Sequence, residues 1–215
     1  MTSRPERRAA LFDLDGTLVD SGADIAASAN HARSALGLPA LPIADIRSFV
    51  GDGAARLIER VTPGASVADR ARAMDAFHAH YAAHCCDATV AYPGAIAALA
   101  RLRDAGWALG VCTNKPLAYS ERILAYCGLV VDGVRGGDRT RKPDPGQLHE
   151  LIAALATTPA RTWMIGDHHT DLHAAAAAGC RALFCTWGFG RRGDARADAD
   201  AASLDAVVDT LLRSD

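Results

Sequence analysis

Two carboxylates one residue apart, Asp13 and Asp15, close the apolar run Ala9-Ala10-Leu11-Phe12 and lead into Gly16-Thr17-Leu18-Val19-Asp20-Ser21. Like charges that close are unfavourable unless a cation lies between them or one keeps its proton, so the pair points to a hard divalent ion. A strand-end Asp followed by an Asp-Gly turn has the same spacing. Further along, Thr113-Asn114-Lys115-Pro116 offers a hydroxyl, a carboxamide and loop amides that could hold an anion, although it also reads as a helix start with Pro in the first turn. Lys142 stands before Pro143-Asp144-Pro145 at the opening of a helical pattern. Gly166-Asp167-His168-His169-Thr170-Asp171 follows another apolar run and adds two carboxylates, of which Asp171 also suits the first turn of a helix.

These stretches share a position relative to the elements that must hold them. Ala9–Phe12, Ala108–Cys112, Trp163–Ile165 and Ala182–Cys185 are short apolar runs that end in small or polar residues, as buried parallel strands do. If the first is a strand, period two puts Asp13 and Asp15 on one side and turns Leu14 back to the core. Between the runs lie helical patterns: Ala95 to Ala105 before Gly106, Leu117 to Cys127 before Gly128, Gln147 to Ala156, and Asp171 to Ala178 before Gly179. Alternating strand and helix predict an α/β fold, a doubly wound, Rossmann-like parallel sheet whose site lies outside the carboxyl ends of the strands. Residues 21–89 break the rhythm and read as almost wholly helical, with turns at Gly37-Leu38-Pro39, Gly51-Asp52-Gly53 and Thr62-Pro63-Gly64. The expected organisation is therefore a core of residues 1–20 and 90–215 carrying an inserted α-helical cap of residues 21–89.

Taken together in this order, the four stretches resemble the haloacid dehalogenase (HAD) superfamily of aspartate-nucleophile hydrolases. Asp13-Leu14-Asp15-Gly16-Thr17 matches its first motif, Thr113-Asn114 its second, Lys142 its third, and Gly166-Asp167 with Asp171 its fourth. Val19-Asp20-Ser21, Phe49-Val50-Gly51-Asp52-Gly53-Ala54, Tyr92-Pro93-Gly94 and Lys142-Pro143-Asp144-Pro145 place it nearest the phosphoglycolate phosphatase-like branch. His168 departs from that branch, which often carries Ser there.

The resemblance implies a Mg²⁺-dependent phosphatase. Asp13 would be the nucleophile and Asp15 the acid and base, with Asp13, Asp15 (through its carbonyl) and Asp167 on the metal and Asp171 supporting them from behind. Thr113, Asn114 and Lys142 would contact the phosphoryl oxygens. By the same resemblance, the cap turn with Gly51 and Gly53 dips into the closed site, and Arg47 beside it pairs with a substrate carboxylate. The best single substrate is 2-phosphoglycolate. A phosphosugar mutase of the β-phosphoglucomutase type shares both Asp residues and the helical cap, and related caps serve pyrophosphate or sugar phosphates. A non-catalytic binding protein on the same fold is the reading from another class.

Composition sets the remaining bounds. A formal net charge of −2, with Lys and Arg scattered, gives no long-range pull toward nucleic acid or anionic membrane and favours a small-molecule phosphate ester as partner. After Arg4, Arg7 and Arg8 the apolar stretch is too short for a signal segment, and no apolar run reaches membrane-spanning length. The six Cys form no C-x-x-C pair, so reduced thiols in a cytoplasmic monomer or homodimer are expected. His78, His80, His84, Cys85 and Cys86 fit no usual zinc spacing and read as a solvated helix end leading to the hinge. Arg191 to Ala202 reads as a solvated loop or loose helix start.

Overall fold

The computed structural model of the protein describes residues 7–214, so Arg4 in the basic start and the terminal Asp215 lie outside the described residues. Its organising element is β1 (Ala9–Phe12), all four residues of which are buried. Through its backbone it pairs in parallel with β4 (Ala108–Cys112) on one side and β6 (Thr162–Gly166) on the other. The sheet extends outward to β5 (Gly133–Arg135) beyond β4, and to β7 (Arg181–Cys185) and β8 (Ala199–Ala201) beyond β6, giving the order β5-β4-β1-β6-β7-β8.

Strand periodicity sorts the core into two layers. Ala10, Phe12, Leu109, Val111 and Ile165 face helices α5 (Ala95–Asp104) and α9 (Leu204–Arg213). Ala9, Leu11, Ala108 and Met164 face α7 (Gly146–Ala154) and α8 (His169–Ala178). Burial on both faces explains why these strands read as continuous apolar runs instead of alternating ones. Leu11 is fully enclosed, and a side chain at Gly110 on the neighbouring strand would meet its methyl at 2.7 Å. Truncating such a leucine costs about 2–5 kcal/mol.

The chain leaves this core through β2 (Val19–Asp20), forms α1 (Gly22–Ser34), α2 (Ile43–Arg47), α3 (Ala54–Val61) and α4 (Val67–His84), and returns through β3 (Val90–Ala91). The two connections are zipped together as an antiparallel ribbon, Val19 opposite Ala91 and Asp20 opposite Val90. Asp24, buried at the start of α1, accepts from the amides of Ala88 and Thr89 at 2.9 and 2.8 Å and from the Thr89 hydroxyl at 2.7 Å. One carboxylate thus ties the beginning of the helical insertion to its end.

Two local expectations change. The segment 191–202 contains β8, which pairs Leu183 with Ala199 and Cys185 with Ala201; a three-residue edge strand has too short a pattern to stand out from an Asp/Ala/Arg composition. Likewise β5, beginning with Gly133, has no apolar run to announce it. Cys85 is not part of a solvated helix end but fully buried in the core. Among the described residues, no helix is long and apolar enough to cross a membrane.

Candidate active site

The ladder of β1 runs one residue past the strand, because the Asp13 amide donates to the Ile165 carbonyl at 2.8 Å. Asp13 therefore emerges at the carboxyl edge of the central strand while Leu14 returns to the core. A tight turn follows, with the amides of Leu18 and Val19 both donating to the Leu14 carbonyl at 3.0 Å. Gly16 lies at φ +86°, and a Cβ there would fall 2.3 Å from the Asp167 carboxylate. Gly188, in the loop after β7, approaches the same carboxylate as closely. These glycines are what lets two loops close on Asp167.

Asp13, Asp167 and Asp171 each bring a carboxylate oxygen to within 4.8 Å of the others, and all three are buried. One ammonium serves this cluster: Lys142 Nζ lies 2.9 Å from Asp13 Oδ1 and 2.6 Å from Asp171 Oδ1. Burial alone would lower the Lys142 pKa, but Asp13 and Asp171 outweigh it and hold the group above its ordinary range. Asp171 is fully committed, since its Oδ2 accepts the His168 amide at 3.1 Å. Asp167 accepts from Thr17 Oγ1 at 3.2 Å and from the Gly190 amide at 2.8 Å. Burial, then the charges of Asp13 and Asp171, push its pKa up to about 8. For Asp13 burial is again the largest cause, opposed by Lys142 and reinforced by Asp171, and the pKa rises to about 6. Three buried carboxylates against one ammonium leave positive charge wanting between Asp13 and Asp167, so an oxygen-seeking divalent cation fits this donor set.

Asp15 stands beside the cluster. Its Oδ2 is 2.9 Å from Lys115 Nζ and its Oδ1 accepts from the Ser21 hydroxyl. Thr113 continues the β4 ladder to the Arg135 carbonyl at 3.0 Å and so reaches the same edge, with its hydroxyl accepting the Lys115 amide at 3.3 Å. Asp13, Asp15, Thr113, Asn114 and Lys115 form the floor of a cavity of about 60 Å³, roofed by Gly51, Gly53 and the apolar cap residues Leu57 and Phe77.

An expected phosphate contact, Asn114, and the expected carboxylate partner, Arg47, look elsewhere. The Asn114 carboxamide donates to the carbonyls of Gly51 at 3.0 Å and Lys142 at 2.9 Å and accepts the Lys142 amide at 2.7 Å. It therefore clamps the Lys142 loop and the cap turn rather than pointing its polar atoms at the cleft. Arg47 lies outside the cavity lining. Its guanidinium pairs with Asp20 of the β2–β3 ribbon at 3.1 Å and sits 4.9 Å from the centroid of the Phe189 ring. Gly51 and Gly53 do dip onto the core: a Cβ on Gly51 would meet the His168 ring at 2.6 Å, and one on Gly53 would lie 3.7 Å from the Asn114 carbonyl.

Other residues take places that the motifs did not assign. Lys115 and Ser21 hold Asp15, Thr17 and the Gly190 amide hold Asp167, and buried Gln147 donates to the carbonyls of Thr113, Gly136 and Thr140 at 3.1, 2.8 and 2.8 Å. Lys115 and Thr17 had a signal in the sequence, since each sits inside a motif stretch; Gln147 had none.

Known proteins similar to this chain are hydrolases. The family model for haloacid dehalogenase-like hydrolases matches residues 7–179. A phosphoglycolate phosphatase of Cereibacter sphaeroides (strain ATCC 17029) is 41% identical over 192 residues, covering 83% of this chain and 85% of that protein. One from Psychrobacter arcticus is 34% identical over 224 residues, covering 97% of each. The crystal structure of a predicted phosphoglycolate phosphatase from Haemophilus somnus 129PT superposes with a TM-score of 0.89 at 26% identity, covering 95% of this chain and 97% of that one. With a family model matching most of its length and an aspartate-bearing cleft at the carboxyl edge of its parallel sheet, the chain belongs to the haloacid dehalogenase-like hydrolases.

Proposed function

We propose that the protein is a Mg²⁺-dependent phosphoric monoester hydrolase that converts 2-phosphoglycolate to glycolate and phosphate. The observation that carries this reading is the buried Asp13 carboxylate at the end of the central strand, 2.9 Å from Lys142 and two residues before Asp15. The names of the relatives, which are phosphoglycolate phosphatases at 34–41% identity, support the substrate.

Asp13 attacks phosphorus, forming an aspartyl-phosphate as the ester P–O bond breaks, which divides a difficult hydrolysis into two displacements. Asp15 acts as the acid that gives a proton to the leaving alkoxide; Lys115 at 2.9 Å offsets the negative charge it then carries. Water next attacks the aspartyl-phosphate, its proton passes to Asp15, and phosphate leaves with Asp13 restored. Asp13, Asp167 and the backbone carbonyl of Asp15 would hold Mg²⁺, whose charge offsets the repulsion between an anionic nucleophile and a phosphate dianion. Lys142 and the Thr113 hydroxyl supply positive charge and a donor for the phosphoryl oxygens.

Residues 21–89 act in this reading as the cap and residues 1–20 with 90–215 as the core. The small cavity favours a small leaving group, and Lys115 is the cation lining it. Lys115, not Arg47, is therefore the group to meet a substrate carboxylate. Phosphate release from 2-phosphoglycolate in Mg²⁺, compared with pyrophosphate and sugar phosphates by kcat/KM, tests the proposal. A preference for either competitor would reject the substrate, and no release from any of them would reject the activity.

A further inference from the structure

A second group of metal-ligating side chains meets where the cap turn rests on the core. Asp52 comes from the turn between α2 and α3, and His168 and His169 from the start of α8; a ligand atom of each lies within 4.8 Å of the others. Asp52 Oδ1 is 3.9 Å from His169 Nε2, and the two imidazole centroids are 4.1 Å apart.

Neighbouring groups already orient these ligands. Arg60 holds Asp52 Oδ2 at 2.6 Å, which leaves Oδ1 toward His169. His168 Nδ1 lies 2.9 Å from Thr170 Oγ1. The same nitrogen accepts the Thr170 amide at 3.4 Å, so the ring is fixed against the first turn of α8 while its other edge faces the cap turn at Gly51. Two imidazoles and a carboxylate, with water as the fourth ligand, make a zinc donor set, whereas Mg²⁺ prefers oxygen ligands such as those of the carboxylate cluster.

We propose that Asp52, His168 and His169 form a zinc-binding site, separate from the carboxylate cluster, whose occupancy holds the cap turn on the core. A metal with ligands from both bodies binds the closed arrangement more tightly than an open one, and by linkage its binding shifts the population toward closed. A cap held down slows exchange of substrate and product. The effect on turnover rests on the phosphatase reading; zinc binding and cap closure do not.

The test is calorimetric titration of Zn²⁺ into untagged protein in excess Mg²⁺, with amide hydrogen exchange followed over residues 48–54. Wild type should bind one zinc per chain and exchange more slowly in that turn. Asp52→Asn and the partly exposed His169→Gln, taken from opposite bodies, should each weaken binding about tenfold or more and abolish the slowing. His80→Gln should change neither, which separates this site from the tilted row of His31, His80 and His84 rings along the cap. In Mg²⁺ alone, His169→Gln should keep the wild-type rate within about twofold and should lose inhibition by zinc. Equal zinc affinity in wild type and both variants, loss of binding in His80→Gln, or binding without slower exchange would overturn the proposal.

Discussion

The ammonium of Lys115 donates a 2.7 Å hydrogen bond to the hydroxyl of Tyr81, joining the loop after β4 to cap helix α4. The same ammonium is 2.9 Å from Asp15, so the contact links cap position to the candidate acid and base. Tyr81→Phe keeps the ring stacked on Phe77 at 5.5 Å and removes the hydroxyl alone. A hydrogen bond to a charged group is worth about 1.5–3 kcal/mol, so kcat/KM for 2-phosphoglycolate should fall roughly tenfold or more. An unchanged kcat/KM would show that closure does not use this bond.

Asp13→Asn should remove turnover while the fold persists, because a carboxamide is a poor nucleophile and Lys142 retains Asp171 as partner. Loss of a covalent nucleophile costs several kcal/mol of barrier, so residual kcat should lie below about a hundredth of wild type. A higher residual rate in a variant with native circular dichroism would take the nucleophile role from Asp13.

Without metal, Asp167 makes stability depend on pH. Its folded pKa, about 8, lies above the ordinary carboxylate value, so the native state binds the proton more tightly than the unfolded chain does. The resulting stability is present at low pH and is lost as pH rises toward about 8. Chemical denaturation in EDTA should therefore show wild type losing stability relative to Asp167→Asn by up to ~1.4 kcal/mol per pH unit across this window. Mg²⁺ should restore stability to wild type at the alkaline end. Parallel pH profiles for the two proteins would mean that the Asp167 carboxylate is compensated by something other than a metal.

Arg47→Ala should act alike on all substrates. The side chain pairs with Asp20, with about a third of each side chain exposed, and an ion pair of this kind contributes about 0–1 kcal/mol. The measurement is kcat/KM for 2-phosphoglycolate and for p-nitrophenyl phosphate, which has no carboxylate. A loss confined to 2-phosphoglycolate would show that Arg47 leaves Asp20 to bind substrate.

Apolar runs ending in Asp13, Thr113 and Gly166-Asp167 made the central strands legible in the sequence, because a strand buried on both faces must be apolar throughout and its polar residues begin where the sheet ends. The helical stretch between Ser21 and Thr89 was legible for a related reason: it interrupts the alternation of strand and helix with helical patterns alone. The edge strands β5 and β8 were not, since three residues at a sheet edge are held by their neighbours' backbone more than by their own side chains. Side-chain direction was likewise decided only by the folded molecule. An arginine, an asparagine and a lysine each carry several possible partners in the sequence, and the one chosen is the one that folding brings within hydrogen-bond reach. For Arg47 that is Asp20, for Asn114 the backbone of Gly51 and Lys142, and for Lys115 Asp15 together with Tyr81. Residue spacing along one strand end could pair Asp13 with Asp15, but Asp52 meets His168 and His169 only because the cap turn lands on the start of α8, more than a hundred residues away along the chain.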